Sequence, residues 1–225
     1  MNSSFAATAT VADYEQHFEE ETIGEAVKSF SPMVGNWEIR QEEKNKVLVV
    51  NGKKWKEGQP SSGIAEKAKG LFGERYAEFL DSIKAYAYFP LAVNNAVSDF
   101  QNGTITVRFK GIDGRIDQAA GIVFNLKENG DYLTVRANPL ENNLVLWKYI
   151  KGKRSSEKWI RNVPTPSKQW HSLKVEISGA HIKSFLNDKL YLEHDWKEPI
   201  KGKVGLWSKA DSLVYFDDYQ VQHKK

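Results

Sequence analysis

The chain has 225 residues, of which 40% are hydrophobic and 12% aromatic, and its 32 basic and 29 acidic side chains give a net charge of +3. A chain of this length can bury a core without a disulfide or a metal, and the absence of cysteine excludes thiol catalysis and cysteine-ligated zinc. The basic residues are scattered among carboxylates, which argues against nucleic acid as a partner, and no apolar run approaches the ~20 residues that cross a membrane.

The N-terminal stretch from Ser4 to Ala12 is small and Ala-rich, like the end of an export signal near its cleavage site. We therefore predict an extracytoplasmic location, periplasmic or secreted, for a protein whose signal peptide has been removed. An ordinary flexible N-terminus is the alternative. The predicted organisation is a partly flexible segment over residues 1–28, followed by one domain over residues 29–225.

Two strands, Trp37 to Arg40 and Val47 to Val50, are predicted on either side of a charged turn. Apolar residues then recur at helical spacing over residues 63–85, where Gly70 and Gly73 interrupt the pattern. Two short helices are therefore predicted there. They form an excursion from the β-structure rather than a separate domain, because roughly 25 residues cannot bury a core of their own.

From residue 104 onward, apolar and polar residues alternate with a period of two, which is typical of half-buried β-strands. Asn, Asp and Gly separate the runs and predict hairpin turns, as at Asn187-Asp188, because these residues tolerate positive φ. Many short strands at regular spacing indicate a sandwich or barrel, not a parallel α/β sheet. The predicted strands are Thr104–Lys110, Gly121–Leu126, Tyr132–Asn138, Leu144–Ile150, Leu173–Ile177, Ile182–Leu186, Leu190–Glu193, Val204–Ser208 and Val214–Val221.

Five segments of the second half carry a resemblance to a known family. They are Asp117–Phe124 (DQAAGIVF), Tyr132–Asn143 (YLTVRANPLENN), Trp170–Val175 (WHSLKV), Gly205–Ser212 (GLWSKADS) and Phe216–Val221 (FDDYQV). This series resembles the bacterial domain family labelled 3-keto-disaccharide hydrolase-like, within the concanavalin A-like superfamily that laminin-G-like modules and family 16 glycoside hydrolases share. The resemblance implies an all-β antiparallel jelly-roll sandwich, an extracytoplasmic location and a carbohydrate partner. The family label implies hydrolysis, but no catalytic residues are carried across, and fold alone does not give activity.

The segment Glu193-His194-Asp195-Trp196-Lys197-Glu198 fits the E-x-D-x-x-E spacing of family 16 glycosidases. On a strand this spacing projects carboxylates to one face, as retaining hydrolysis requires. Pro199 follows at once and indicates that the strand ends there, so solvated loop charges are the favoured interpretation. Glu141 and Asp211 are further carboxylates that a hydrolase could use.

A sugar platform is predicted where polar and aromatic side chains share strand faces. Sugar rings stack their C–H faces on aromatics, and their hydroxyls need amide, carboxylate and guanidinium partners. The alternative is that the aromatics belong to the core, the usual fate of strand aromatics. The predicted ligand-binding residues are Arg136, Asn138, Glu141, Asn143, Trp147, Trp207 and Lys209.

A structural Ca²⁺ is predicted at Asp217, because many concanavalin A-like sandwiches bind calcium through an Asp near this position, and hard oxygen ligands suit the ion. Glu20, in an acidic run near the N-terminus, is the second candidate ligand. The alternative is a surface aspartate on a terminal strand. By alternation, Asp218 is expected on the opposite face from Asp217, where it could instead be a buried, hydrogen-bonded acid.

Three functions follow from these features. The first is a noncatalytic carbohydrate-binding module, and the second is a glycoside hydrolase acting on (3-keto-)disaccharides. The third is a laminin-G-like protein-interaction module, which predicts an exposed apolar patch and no cleft. Because the catalytic motif is weak, the sequence favours binding.

Overall fold

The computed structural model describes residues 13–54 and 89–224, and within these ranges the chain forms fifteen β-strands and one 3₁₀ helix. The predicted helices over residues 63–85 lie outside the described residues. No helix in the described part is long and apolar enough to span a bilayer. The elements are β1 Tyr14–Gln16, β2 Phe30–Val34, β3 Trp37–Glu42, β4 Asn45–Asn51, the 3₁₀ helix Gly52–Lys54, β5 Leu91–Asn94, β6 Gly103–Asp113, β7 Ala120–Leu126, β8 Tyr132–Asn138, β9 Asn143–Ile150, β10 Lys153–Arg161, β11 Trp170–Ser178, β12 His181–Leu186, β13 Lys189–Asp195, β14 Lys203–Ser208 and β15 Leu213–His223.

The strands form two antiparallel sheets packed as a sandwich, as the sequence predicts. Sheet A has the order β13-β12-β11-β6-β15-β4-β3, and β1 also pairs with β15. Sheet B has the order β10-β9-β8-β7-β14-β5-β2. Neighbours in each sheet are distant in sequence at several points, which is the pattern of a jelly roll rather than a meander.

The main core lies between the two sheets and follows the alternation of the strands. In β6, Ile105, Val107 and Phe109 are fully buried while the intervening residues are partly exposed. Sheet B contributes the opposite wall through residues such as Ile122 and Val135. Full burial of one such side chain contributes about 1.5–3 kcal/mol, so this interface is the main source of stability.

Sheet B differs from sheet A because its outer face is buried as well. All seven residues of β7 and of β8 are buried, although successive side chains point to opposite faces. A second apolar cluster lies on that outer face, and it includes Val123, Tyr149 and Trp207. The outer face of sheet B therefore has an apolar half around β7 and β14, beside a polar half on β8, β9 and β10.

The chain before residue 29 takes part in the sandwich. Strand β1 pairs with β15, with Tyr14 opposite Val221, and Phe18 is fully buried in the main core. The predicted domain start at residue 29 leaves out both features. Their signal is weak in the sequence, because a strand of three residues is too short to show alternation.

A β-bulge in β15 changes the predicted orientation of its two aspartates. The pairing with β6 shifts between Asp217 and Gln220, and Asp218 has a φ of 47°. Both aspartates therefore lie on the outer side of sheet A, near Arg108, which pairs with Asp217 in register and donates to Asp218 over 3.0 Å. The prediction that Asp218 points to the opposite face and is the buried acid is wrong, because the bulge interrupts the alternation and Asp217 is the buried one.

Candidate functional site

The polar half of the outer face of sheet B is built by the β8–β9 hairpin. In register, Thr134 lies opposite Trp147 and Asn138 opposite Asn143. Since alternate residues share a face, Thr134, Arg136 and Asn138 of β8 point to the same side as Trp147 of β9. The hairpin turn closes with a hydrogen bond of 3.1 Å from the Glu141 amide to the Asn138 carbonyl. This turn brings the Glu141 side chain back over the end of β8.

Arg136 is the buried centre of this arrangement, with 1% of its surface exposed. Its Nη1 donates to Asn143 Oδ1 over 2.6 Å and to Glu141 Oε2 over 3.1 Å, and its Nη2 donates to the same Glu141 oxygen over 3.2 Å. Asn143 also donates to Glu141 Oε2 over 2.7 Å. Burial raises the pKa of Glu141, but the Asn143 hydrogen bond and the Arg136 charge outweigh it and leave that pKa below its ordinary value. Glu141 is therefore an anion that holds the Arg136 cation.

Two aromatic rings and a second arginine complete the face. The guanidinium carbon of Arg154 lies 4.3 Å from the centre of the Trp147 ring, and that of Arg136 lies 5.9 Å from the same centre. Trp159 of β10 packs edge-on against Trp147, with ring centres 5.3 Å apart, and is 41% exposed. We call Arg136, Glu141, Trp147, Arg154 and Trp159 the candidate site. It opens to solvent at Trp159 and at Glu141, whose side chain is also exposed.

A buried ion pair fixes the start of β7 against the β8–β9 turn. Asp117 accepts a hydrogen bond of 2.7 Å from Asn138 Nδ2, and Lys209 Nζ lies 2.7 Å from its other oxygen. Burial raises the pKa of Asp117, and Lys209 opposes the rise. The oxygen of Asn138 accepts the amides of Gln118 and Leu140. Asn138 and Lys209, both predicted as ligand-binding residues, therefore hold the loops around the candidate site.

Buried polar atoms that have no hydrogen-bond partner are concentrated in the candidate site and on the strand residues beside it. Such atoms number ten in the described part of the chain, one of which, Asp117 Oδ2, is ion-paired with Lys209 instead, and five others lie on this one face. Three are N–H donors and two are hydroxyl oxygens. A buried donor without an acceptor costs about 1–3 kcal/mol, so a cluster of them indicates a missing partner. They are Thr134 Oγ1, Arg136 Nε, Trp147 Nε1, the Tyr149 hydroxyl and Arg154 Nη1.

Trp207 lies on the same face but in its apolar half. Its indole N–H donates to the Tyr132 hydroxyl over 3.2 Å, its ring stacks on Phe89, and it is fully buried. This agrees with the alternative that a predicted ligand-binding aromatic belongs to the core. Trp147, in contrast, has an unpaired indole N–H and lies beside the exposed Trp159.

The three other catalytic candidates lie away from the candidate site. Glu193 and Asp195 are on the edge strand β13 of sheet A, where they contact Lys183 and His181 over 3.0 Å and 2.7 Å respectively. Asp211 accepts the backbone amides of Arg115, Ile116 and Asp117, and these amides outweigh burial and lower its pKa. The structure therefore brings only Glu141, of the predicted carboxylates, into the candidate site.

The predicted calcium ligands do not form a cluster in the described part of the chain. Asp217 is buried and accepts the Asp218 amide over 2.8 Å, while Glu20 is exposed. Within residues 13–54 and 89–224, no group of three or more Asp, Glu, His or Cys side chains is placed to hold a metal. Calcium at Asp217 stays a prediction.

The outer face of sheet A carries two grooves, of about 610 and about 520 Å³. The lining of the first includes charged groups that already have partners, such as Lys183 with Glu193 at 3.0 Å. The second contains Trp170, whose ring is approached by the cations of Arg108 and Lys110 at 4.9 and 5.2 Å. Neither groove shows the unpaired buried donors found on sheet B.

No protein-family model and no curated protein matches this chain. Solved structures match its fold at low identity. The carbohydrate-binding module CBM66 from Bacillus subtilis has a TM-score of 0.60 at 13% identity, covering 86% of this chain and 95% of the module. A Bacillus subtilis protein of unknown function with a galectin-like fold has a TM-score of 0.60 at 13% identity, with 95% and 96% covered. Bacillus licheniformis β-glucanase has a TM-score of 0.53 at 11% identity, with 96% and 100% covered.

Identities this low show the fold alone. The chain therefore shares the antiparallel jelly-roll sandwich fold of these neighbours.

Proposed function

We propose that this protein is a carbohydrate-binding β-sandwich whose ligand occupies the candidate site on the outer face of sheet B. The observation that carries the proposal is the cluster of buried N–H donors without an acceptor on Arg136, Trp147 and Arg154. Sugar hydroxyls accept and donate hydrogen bonds, so one sugar residue can supply partners to several of these atoms. An extracytoplasmic location, predicted from the N-terminal segment, is part of the proposal.

The geometry provides both kinds of contact that a sugar needs. Trp159 is exposed and offers a flat apolar surface for the C–H face of a pyranose ring, next to the buried Trp147. Glu141 uses one oxygen for Arg136 and Asn143, and its other oxygen, Oε1, makes no hydrogen bond to the described residues, which leaves it to accept a hydroxyl. The candidate site thus offers a ligand an aromatic ring, Trp159, at one edge and a carboxylate, Glu141, at the other.

Two of the structural neighbours bear the names of glycan-directed proteins of different kinds, a binding module and a β-glucanase. Binding fits this chain better than hydrolysis. Glycoside hydrolysis uses two carboxyl groups that flank the scissile bond. Among the described residues, Asp117 is the other carboxylate beside the candidate site; it is fully buried, with one oxygen accepting from Asn138 and the other ion-paired with Lys209. A hydrolase of (3-keto-)disaccharides, as the family resemblance implies, is the second candidate.

Proton NMR on the purified protein with a panel of ordinary, acidic and 3-keto oligosaccharides tests the proposal. We expect saturation transfer from the protein to at least one sugar and no new anomeric signals. New anomeric signals would make the protein a hydrolase. Absence of transfer to every sugar would overturn carbohydrate binding for that panel and favour a protein partner.

The matched variants are Arg136→Met in the candidate site and Trp170→Ala on the outer face of sheet A. Arg136→Met keeps the apolar stem and removes the guanidinium that organises Glu141 and Asn143. We expect it to abolish saturation transfer, while Trp170→Ala retains it. Loss of transfer in Trp170→Ala alone would place the ligand on sheet A and contradict the proposed site.

A further inference from the structure

The candidate site contains one more positive than negative charge. Arg136 is paired with Glu141, and Lys209 is paired with Asp117. Arg154 has no ion-pair partner among the described residues. The exposed Arg161, which lies opposite Asn143 in the β9–β10 register, adds a further cation at the rim.

Arg154 is held in an apolar environment that water does not reach at Nη1. Its guanidinium carbon lies 4.6 Å from the centre of the Phe89 ring and 4.3 Å from that of Trp147, and Nη1 is buried without an acceptor. Cation–π contacts with two rings orient the guanidinium but supply no anion, and its polar neighbour on this face is the Tyr149 hydroxyl, whose pKa is raised by burial and lowered in part by Arg154. The cation therefore keeps donors in its plane, in the fork that matches a carboxylate or sulfate.

A partly buried cation with a shielded N–H group and no anion is costly, and a hydrogen-bonded anion offsets that cost more completely than a neutral hydroxyl does. Burial lowers the pKa of Arg136, Glu141 opposes this, and the charge of Arg154 lowers it further. The two guanidinium groups thus disfavour each other in the free protein. A ligand anion between or beside them would relieve that repulsion.

We infer that the ligand is an anionic glycan, whose carboxylate or sulfate group binds at Arg154 while its sugar ring contacts Trp147 and Trp159. This inference rests on the proposed carbohydrate-binding function and adds the ligand class. The carboxylate of a uronic acid and the sulfate of a sulfated sugar both present at least two anionic oxygens on the same side, which a guanidinium can bind. Neutral oligosaccharides would bind the same site without engaging Arg154 fully.

The test is calorimetric titration of the whole chain with tri-galacturonate, with its methyl ester, and with a sulfated disaccharide. The methyl ester has the same sugar skeleton but no charge. We expect an anionic probe to bind about tenfold more tightly than the ester, or better, since a hydrogen bond to a charged group contributes more than a neutral one. Tight binding of the sulfated probe alone would identify sulfate rather than carboxylate as the anion.

Arg154→Gln should remove the preference for the anion. The control is Arg108→Gln, which replaces an arginine on the outer face of sheet A and should retain the preference. Thermal unfolding of both variants establishes that they are folded. Arg154→Lys, which keeps the charge, and the salt dependence of wild-type binding give second readouts. Equal binding of the acid and the ester, or binding of neutral sugars only, would overturn the inference and leave carbohydrate binding standing. Failure of every sugar, neutral ones included, would overturn both.

Discussion

Arg154 and Trp147 lie on neighbouring strands of sheet B, and the guanidinium of Arg154 packs against the indole ring at 4.3 Å. The contact places a cation with an unpaired Nη1 beside an indole with an unpaired N–H. Groups of this kind are expensive in a folded protein unless a ligand uses them. Substitution of Arg154 is therefore expected to change ligand binding much more than the free energy of unfolding.

Arg154→Met should leave the stability of the free protein within about 1 kcal/mol of wild type, because the cation–π contacts that it loses are offset by removal of a buried, unpaired donor. Binding should fall sharply in the same variant. Urea unfolding with and without the sugar identified by NMR measures both quantities. A loss of stability above about 3 kcal/mol would mean that Arg154 has a structural partner and is not reserved for a ligand.

Glu141→Gln should destabilise the protein by about 1–2 kcal/mol, because it leaves the buried guanidinium of Arg136 without its anion. The value is set below that of a fully buried pair, since the Glu141 side chain is partly exposed and water screens it. Urea unfolding at pH 7 measures the effect.

The control for Glu141→Gln is Glu193→Gln, which removes an exposed carboxylate from its contact with Lys183 on β13. We expect this control to leave the urea midpoint unchanged, because exposed ion pairs contribute little. If both variants unfold at the wild-type midpoint, the Arg136–Glu141 pair does not organise the candidate site.

Asp217 should make stability fall between about pH 4 and pH 6. Burial raises its pKa to about 6, with the Asp218 amide opposing the rise and the Asp218 carboxylate adding to it. An unfolded aspartate has a pKa of about 3.9. Between these values the folded state binds more protons than the unfolded state, so stability decreases as pH rises through this window.

Asp217→Asn removes this titration. Relative to wild type, the variant should gain about 1–3 kcal/mol of stability between pH 4 and pH 7. Chemical unfolding at several pH values in the presence of EDTA gives the comparison, free of any contribution from calcium. Parallel pH profiles for the two proteins would contradict the raised pKa. A gain for wild type on adding calcium, absent from Asp217→Asn, would support the predicted metal site.

Gly205→Ala should destabilise the sandwich by at least about 2 kcal/mol, because overpacking at a fixed backbone is not relieved by side-chain movement. A Cβ at this position would lie 2.2 Å from the Ala92 carbonyl oxygen of the neighbouring strand β5. Gly179→Ala is the control, since a Cβ there meets nothing within 4 Å and only the positive φ of 62° opposes it. We expect the control to cost about 1 kcal/mol. Equal effects of the two substitutions would mean that the contact between β14 and β5 is loose.

Alternation predicts the half of the candidate site that lies on regular strands. Strands β8 and β9 keep a strict period of two, so Arg136, Asn138 and Trp147 could be placed on one face from the sequence. Alternation does not predict which other residues pack on that face. The sequence therefore gives no basis for distinguishing Trp147 from Trp207. Trp207 is on β14, beside the central strand β7, and Phe89 packs on it, while Trp147 lies towards the edge of the sheet.

The rest of the candidate site could not be predicted because β10 has no apolar alternation. Its residues, Lys153–Arg161, are mostly polar, and a bulge between Ser156 and Lys158 shifts its register. Arg154 and Trp159 therefore gave no strand signal. Asp117 and Lys209 are far apart in sequence, and only the pairing of β7 with β14 brings their charges together. The opposite face expected for Asp218 is wrong for a similar reason, a bulge that nothing in the sequence marks.

The indole N–H signal of Trp147 in a two-dimensional ¹H–¹⁵N spectrum, assigned by comparison with Trp147→Phe, reports whether a ligand occupies the candidate site. Because this N–H has no acceptor in the free protein, a bound sugar that supplies one should shift its signal progressively during titration. The signals of Trp170 on sheet A and of the buried Trp207 should shift little. Binding that moves Trp170 and leaves Trp147 unchanged would show that the ligand occupies another face, and the account of the candidate site would be wrong.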